Sequence, residues 1–381
     1  MIKIVLIAVL GIVSLTAKGL SVEVNYYGQR FTLEQVMQIH KLKCGNPLDI
    51  SNSLKDIGVV QNANISKINK FIDLANLDGV GAYLLLKKVS IALRADPNYL
   101  TLLSYIVLSN KYDIILRYSH EGNLQLAYSS IINFSGQYSM ISGVKYFSFS
   151  NVASKSNYFL YKSENKNNLG GITFMGVPSI IKGAPIKREY KFSFDKVNSS
   201  EVLTFIIDDN ALAYYKDVPR MLEYNKYVLI SPSNCFAFSV NNVLKDRIQN
   251  MTEQQKLNYL LAFVQSLPYH SRDKEDSSGI DPFYFPEESI FYGKTDCEDR
   301  TFLLCYLLAI NTNIKPFIMD YKEHVNAGFE CNSFGKDFLP ANIIINKSKC
   351  YFTAETTNKK RIGEMDEKLE GLTLYKVFPL L

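Results

Sequence analysis

Among its 381 residues the chain has no tryptophan, four histidines, six cysteines, 12 prolines and 20 glycines, and its formal net charge is only +5. Each scarcity excludes something. So few glycines and prolines, beside 47% hydrophobic and 21% charged residues, rule out a collagen, a linker or a disordered tail. Six cysteines over this length cannot frame a disulfide miniprotein, and a chain of roughly two and a half domain lengths has no need of one. Neither a Cys-x-x-Cys pair nor paired histidines occur, which argues against a zinc site. Beyond the N-terminus the longer uncharged stretches, such as 122–144 and 227–244, are interrupted by polar residues and none is apolar over about 18 residues, so no transmembrane helix is expected. So small a net charge gives no footing for nucleic acid.

What is present begins with a leader. Lys3 precedes an apolar run from Ile4 to Val13, and Ala17-Lys18-Gly19 supplies small residues at a cleavage position. That is the pattern of a secretory signal over 1–19, with a run too short to span a bilayer. Its removal takes Lys3 and Lys18 and no acid, lowering the formal charge from +5 to +3. The mature protein is expected to be secreted or periplasmic, with no stable membrane span; nothing in the sequence specifies an oligomeric state.

Residues 20–111 read as a helical layer. Thr32 with Gln35 has the spacing of a capping box ahead of Val36 and Met37, and Asp96-Pro97 is a cap followed by proline at the first helical position. Over 112–240 the period changes to two, as in Tyr190-Lys191-Phe192-Ser193-Phe194-Asp195. Further β-prone runs at 114–118, 124–129, 202–207 and 227–230 suggest a β-sandwich or a β-rich layer, whose Tyr and Phe residues are assigned to sheet packing. From about 241 to 381 the pattern is α+β. Thr252 and Gln255 open a helix, a polar loop covers 268–289, and a helix is expected over 296–310. Strands are expected at 316–320, 324–331, 341–346 and 350–356.

Chemistry concentrates in this last third. In Thr295-Asp296-Cys297-Glu298-Asp299-Arg300, Thr295 and Glu298 read as a capping box, which puts Cys297 in the first helical turn. There unpaired N–H groups and the helix dipole favour a thiolate, while Asp296, Glu298 and Asp299 oppose it, so a nearby cation is required. His324 opens one strand and Glu355 ends another; adjacent antiparallel strands would set His324 between Cys297 and Glu355 as nucleophile, base and orienter. His270 is the competing base, and His40 and His120 belong to other regions. Cys305 reads as a core residue, Cys331 and Cys350 as either a cross-strand disulfide or two separate thiols, and Cys44 and Cys235 are undecided.

The stretch TDCEDRTFLLCYLL, the histidine and carboxylate that follow it, the upstream LLAFVQSLPY and the closing AETTNKKRIGEM resemble the transglutaminase-like superfamily of papain-like cysteine enzymes. In layout the chain is similar to the secreted transglutaminase-like proteins of Bacteroidetes, the match covering about 243–366. The resemblance implies an α+β fold, with a C-terminal transglutaminase-like (papain-like) domain preceded by the helical layer and the β-rich, sandwich-like region. It places Cys297, His324 and Glu355 at the triad positions and Asp299 at a supporting acidic position. It asks for no cofactor or metal and implies a protein or peptide substrate. Glutamate in place of the family's commoner aspartate must reach one methylene further. The tryptophans that surround the acyl tunnel of animal transglutaminases are excluded by composition. One oxyanion donor would be the Cys297 N–H; the second is open among Gln265, Tyr269 and Tyr292. The expected activity is acyl transfer through a Cys297 thioester, hydrolysis (peptidase or amidase) being favoured over transglutamination. The alternative is an inactive transglutaminase-like binding or scaffold protein at the cell envelope.

Overall fold

The computed structural model describes residues 21–34, 42, 44–94, 96–149, 158–161, 169–194, 200–271, 283–321, 323–334, 343–346, 348–364 and 374–380. The expected leader, the residues after Glu34 that were to continue a helix, and half of the 268–289 loop lie outside them. The chain opens on a hairpin, β1 (Ser21–Tyr26) and β2 (Gln29–Glu34), where a helix was expected from the Thr32 and Gln35 spacing. Alternation decides it. Val24, Tyr26 and Leu33 point inward, and Tyr27 and Gly28 both adopt positive φ (45° and 87°), which is the two-residue turn that matches strand twist.

Four helices follow: α1 (Pro47–Val60), α2 (Asn62–Leu74), α3 (Gly79–Leu93) and α4 (Pro97–Leu108). Asp96 caps α4 as expected, accepting from the Asn98 and Tyr99 N–H groups. Next come β3 (Ile114–Tyr118), β4 (Leu124–Ser129), β5 (Gln137–Ile141), β6 (Val144–Ser148) and β7 (Phe159–Tyr161), an antiparallel sheet in the order β5-β6-β4-β3-β7. Among the described residues α4, and not a second sheet, packs on β3 and β4, so the expected sandwich is not formed there. The long hairpin of β8 (Pro185–Ser193) and β9 (Ser200–Asp208) is separate.

Residues 209–248 then turn helical, as α5 (Asp209–Asp217), α6 (Tyr224–Leu229) and α7 (Asn234–Ile248). The strand expected at 227–230 is therefore α6, whose Tyr227 ring stacks 5.3 Å from Phe302; burial in an aromatic cluster overrides the β propensity of Tyr-Val-Leu-Ile. The expected division at 240/241 falls inside α7.

The last third contains α8 (Glu253–Ser266), α9 (Pro286–Tyr292) and α10 (Cys297–Asn311), then β10 (Phe317–Asp320), β11 (Val325–Glu330), β12 (Ile344–Asn346), β13 (Lys349–Ala354) and β14 (Lys376–Pro379). Thr252 and Gln255 form the expected capping box on α8. The strands make an antiparallel sheet in the order β12-β13-β11-β10-β14, with α10 packed against β11. Gly328 on β11 lies close against Met319 of β10, whose side chain would have to shift for a Cβ that would stand 2.1 Å from its sulfur. The whole is a mixed α+β fold, and among the described residues no helix is long and apolar enough to cross a membrane.

The upstream elements and the last third share one hydrophobic core running from Val24 to Leu380. Polar ties reinforce it. Arg188 Nε of β8 donates to the Phe291 carbonyl at 3.0 Å, and the Tyr190 hydroxyl donates to that of Ile290. Glu287, fully buried at the start of α9, accepts from Ser233 Oγ (2.6 Å), the N–H groups of Ser233 and Asp208, and the Tyr215 hydroxyl. Cys331, on a 3-10 turn after β11, is disulfide-bonded to Cys350 on β13, while Cys44, Cys235, Cys297 and Cys305 are free thiols. The bond closes a loop with a sequence separation of 19. Loop-closure entropy for that length makes it worth about 3 kcal/mol. Reduction under native conditions is expected to lower the urea midpoint accordingly; an unchanged midpoint would show that the bond is dispensable.

Candidate active site

Helix α10 begins one residue later than the sequence reading placed it. The cap is Asp296, not Thr295: its carboxylate accepts from the Asp299 N–H at 3.1 Å. Cys297 is thereby the first helical residue, and Glu298 is freed from a capping-box role. Thr295 instead ties this start to the end of α8, through Thr295 N–H to the Pro268 carbonyl (3.1 Å) and His270 N–H to the Thr295 carbonyl (3.0 Å). These bonds bring Tyr269 and His270 alongside the helix start, and Tyr269 is 54% exposed.

Strand pairing assembles the other side. In the β11–β13 register Ala327 faces Ala354, so the next pair outward is Asn326 and Glu355, with His324 on the same face of the chain as Asn326. His324 Nε2 lies 3.1 Å from Glu355 Oε2 and 2.9 Å from Asn326 Oδ1, and Asn326 Nδ2 donates to the same Glu355 oxygen at 3.1 Å. The second carboxylate oxygen accepts from the Thr357 N–H at 2.8 Å and from its hydroxyl. With Nε2–H directed at these acceptors, Nδ1 is the ring nitrogen left with a lone pair. Burial opposes ionisation of Glu355, but the His324 contact and the two Thr357 donors outweigh it and hold the carboxyl at about 2.

Cys297 itself is nearly buried, and its sulfur does not hydrogen-bond His324. Sγ donates to Glu298 Oε2 at 2.8 Å and receives the Val325 N–H at the start of β11. Burial, followed by the Glu298 carboxylate, pushes the thiol far above its usual range. Glu298 is pushed up in turn, by burial and then by Asp296, with the thiol and His324 acting the other way. The Sγ–Glu298 Oε2 bond and the raised thiol both keep the proton on sulfur.

A buried cation, Arg300, stands one helical turn after Cys297 and is 1% exposed. Its donors all meet neutral oxygens. Nε reaches Thr295 Oγ1 at 3.1 Å, Nη1 the carbonyls of Thr356 (3.2 Å) and Thr357 (2.8 Å), and Nη2 the Leu267 carbonyl. Burial lowers the guanidinium's pKa, and Tyr269, whose ring centroid is 5.3 Å away, opposes that together with Asp296, Glu355 and Cys297. Sequence reading passed over Arg300 and Asn326. Arg300 sits at i+3 from the cysteine, so helical spacing alone could have raised it; Asn326 sits at i+2 from His324, on the same strand face.

The remaining candidates are placed as follows. Asp299 is fully buried and accepts the Tyr284 N–H at 2.7 Å, fixing the approach to α9. Gln265 Nε2 donates to the carbonyls of Glu355 (2.7 Å) and Lys360 (2.9 Å), so both its N–H groups are committed to the turn after β13 and none is left for an oxyanion. Tyr292 stacks on Tyr284 at 4.6 Å and, with it, lines a cleft that includes Tyr215, Arg220 and Tyr227. Cys305 is wholly inside the core. Among the described residues no cluster of three or more His, Cys, Asp and Glu side chains is arranged to hold a metal ion. No family model, curated protein or solved structure matches the chain.

Proposed function

We propose that the protein is a secreted cysteine acyl-transfer enzyme with a transglutaminase-like C-terminal domain, in which Cys297 is the nucleophile, His324 the base and Glu355 its orienter. The observation that carries the reading is the buried His324–Glu355 contact at 3.1 Å, at the strand ends facing the first turn of α10. A buried imidazole whose Nε2 is held by an ionised carboxylate has its tautomer fixed, which leaves Nδ1 to take a thiol proton and return it to a leaving amine. Cys297 then attacks a carboxamide or peptide carbonyl and holds the acyl group as a thioester. The oxyanion would meet the N–H groups at the α10 start, where the helix dipole favours negative charge. Tyr269, exposed beside Arg300, is a better placed second donor than Gln265. Water is the favoured acceptor, making the activity that of a peptidase or amidase. The Cys331–Cys350 bond and the leader support an oxidising compartment outside the cytoplasm.

A second reading, an inactive binding or scaffold protein, draws on one observation, the Cys297 thiol bonded to Glu298 in place of His324. Turnover separates the two. Given a glutamine-containing peptide, with and without a primary amine, the full chain is expected to release ammonia without incorporating amine, and Cys297→Ala to abolish release. Absence of both reactions, with no acylated Cys297 by mass, would leave the scaffold reading standing.

A further inference from the structure

The Cys297 hydrogen bond places a residue in the site that the triad does not account for. Three carboxylates crowd the start of α10. Asp296 is spent on the cap and Asp299 on the Tyr284 N–H, whereas Glu298 turns its carboxylate onto the reacting sulfur. The sulfur's two hydrogen-bond contacts are thus the Val325 N–H, a donor suited to a thiolate, and Glu298 Oε2, an acceptor that requires the proton to stay on sulfur. Charge on the pair comes from Asp296 at the α10 cap and His324 from the β11 side, and behind them Arg300 feels Asp296, Glu355 and Cys297 in turn.

We infer that Glu298 is a further catalytic residue that gates the nucleophile, accepting the Cys297 thiol hydrogen at rest and releasing it to His324 when its carboxylate swings away. This rests on the acyl-transfer reading, whose base must wait for the gate. On release the S–H proton passes to His324 Nδ1, giving thiolate and imidazolium, while Glu298 remains an anion and no other group changes charge. The Val325 N–H and the α10 dipole then stabilise the sulfur's new charge. Of the three carboxylates at the helix start Glu298 is the only one on a residue that is not fully buried, Asp296 and Asp299 being 3% and 0% exposed, so it is the one with room to swing. The contact also explains how a secreted thiol can avoid oxidation until a substrate arrives, since the un-ionised form is the unreactive one.

The test is alkylation of the full chain by iodoacetamide, with adducts at each cysteine quantified by peptide mass spectrometry between pH 6 and 9. Glu298→Gln keeps the shape and removes the anion. It is expected to speed Cys297 labelling at pH 7 at least about tenfold and to move the rate profile about one unit toward acid. Glu298→Asp, which keeps the charge but withdraws the oxygen by one methylene, is expected to fall between and serves as the readout if the Gln variant does not fold. Adding His324→Ala to Glu298→Gln should remove most of the gain. If it removes none, the gate stands and the assignment of His324 as base fails. If wild type already labels fast in a His324-dependent way and Glu298→Gln changes nothing, the acyl-transfer reading stands and the gate is wrong.

Discussion

Arg300→Met is expected to cost the fold about 3 to 5 kcal/mol, read as a lowered urea midpoint with an unchanged slope. The side chain is nearly as long, so volume is roughly conserved; what disappears is the fork. Four oxygens lose their donor at once, the carbonyls of Leu267, Thr356 and Thr357 and the hydroxyl of Thr295, and most of them have no water to turn to. Each buried acceptor left bare costs about 1 to 3 kcal/mol, with local relaxation recovering part of the total. Arg300→Lys should recover less than half, because one ammonium cannot reach acceptors spread over three segments. The loss is also directed at the site. Arg300 fixes the Thr357 carbonyl, and Thr357 holds Glu355, so the Met variant should show a displaced His324 ring signal by NMR even where it remains folded. A Met variant within about 1 kcal/mol of wild type would mean that the guanidinium is not what ties the α8, α10 and β13 ends together.

Why the sequence hid Arg300 while exposing Cys297 is a matter of range. Local signals were legible: the Asp96-Pro97 start of α4, the Thr252 and Gln255 box of α8, and strands β10 to β13 each lie within about three residues of their expected bounds, because caps and alternation act over a few residues. The same locality misled at Thr32, where a capping-box spacing occurs inside a hairpin set by the Tyr27-Gly28 turn, and at Thr295, where two capping residues stand side by side and Asp296 takes the role. At 227–230 a tertiary aromatic cluster reversed the local preference. Arg300 has only its i+3 spacing from Cys297 as a local signal, and that spacing does not say what the guanidinium holds. Its meaning comes from carbonyls at Leu267 and Thr356, 33 and 56 residues away along the chain. Asn326 and the Glu298 contact are hidden for different reasons. The first needs the β11–β13 register, and the second needs the one-residue correction of the helix cap.

Glu355→Gln is expected to lower acyl transfer about 10³ to 10⁴-fold and to flatten the acid limb of the stability curve, two effects with one origin. In the native protein Glu355 ionises at about 2, against 4.5 for an ordinary glutamate, because His324, Asn326 and Thr357 donate to its anion. A folded-state value below the unfolded one means that the contribution is complete above pH 4.5 and is lost as pH falls from there through about 2. Its size is of the order of 3 kcal/mol. Stability of the wild type should therefore fall across that window, and the Gln variant, which has no proton to bind there, should lack that part of the slope. In catalysis the amide fails differently. Its oxygen can keep the Thr357 donors, but its NH2 then faces His324 Nε2 and Asn326 Nδ2, donor against donor. The imidazole is driven to the tautomer that protonates Nδ1, the nitrogen that must accept the Cys297 proton. Wild-type turnover combined with a flattened acid limb would leave Glu355 a structural acid only. Lost turnover with an unaltered acid limb would mean that its native ionisation is not depressed, so that its role rests on geometry and not on charge.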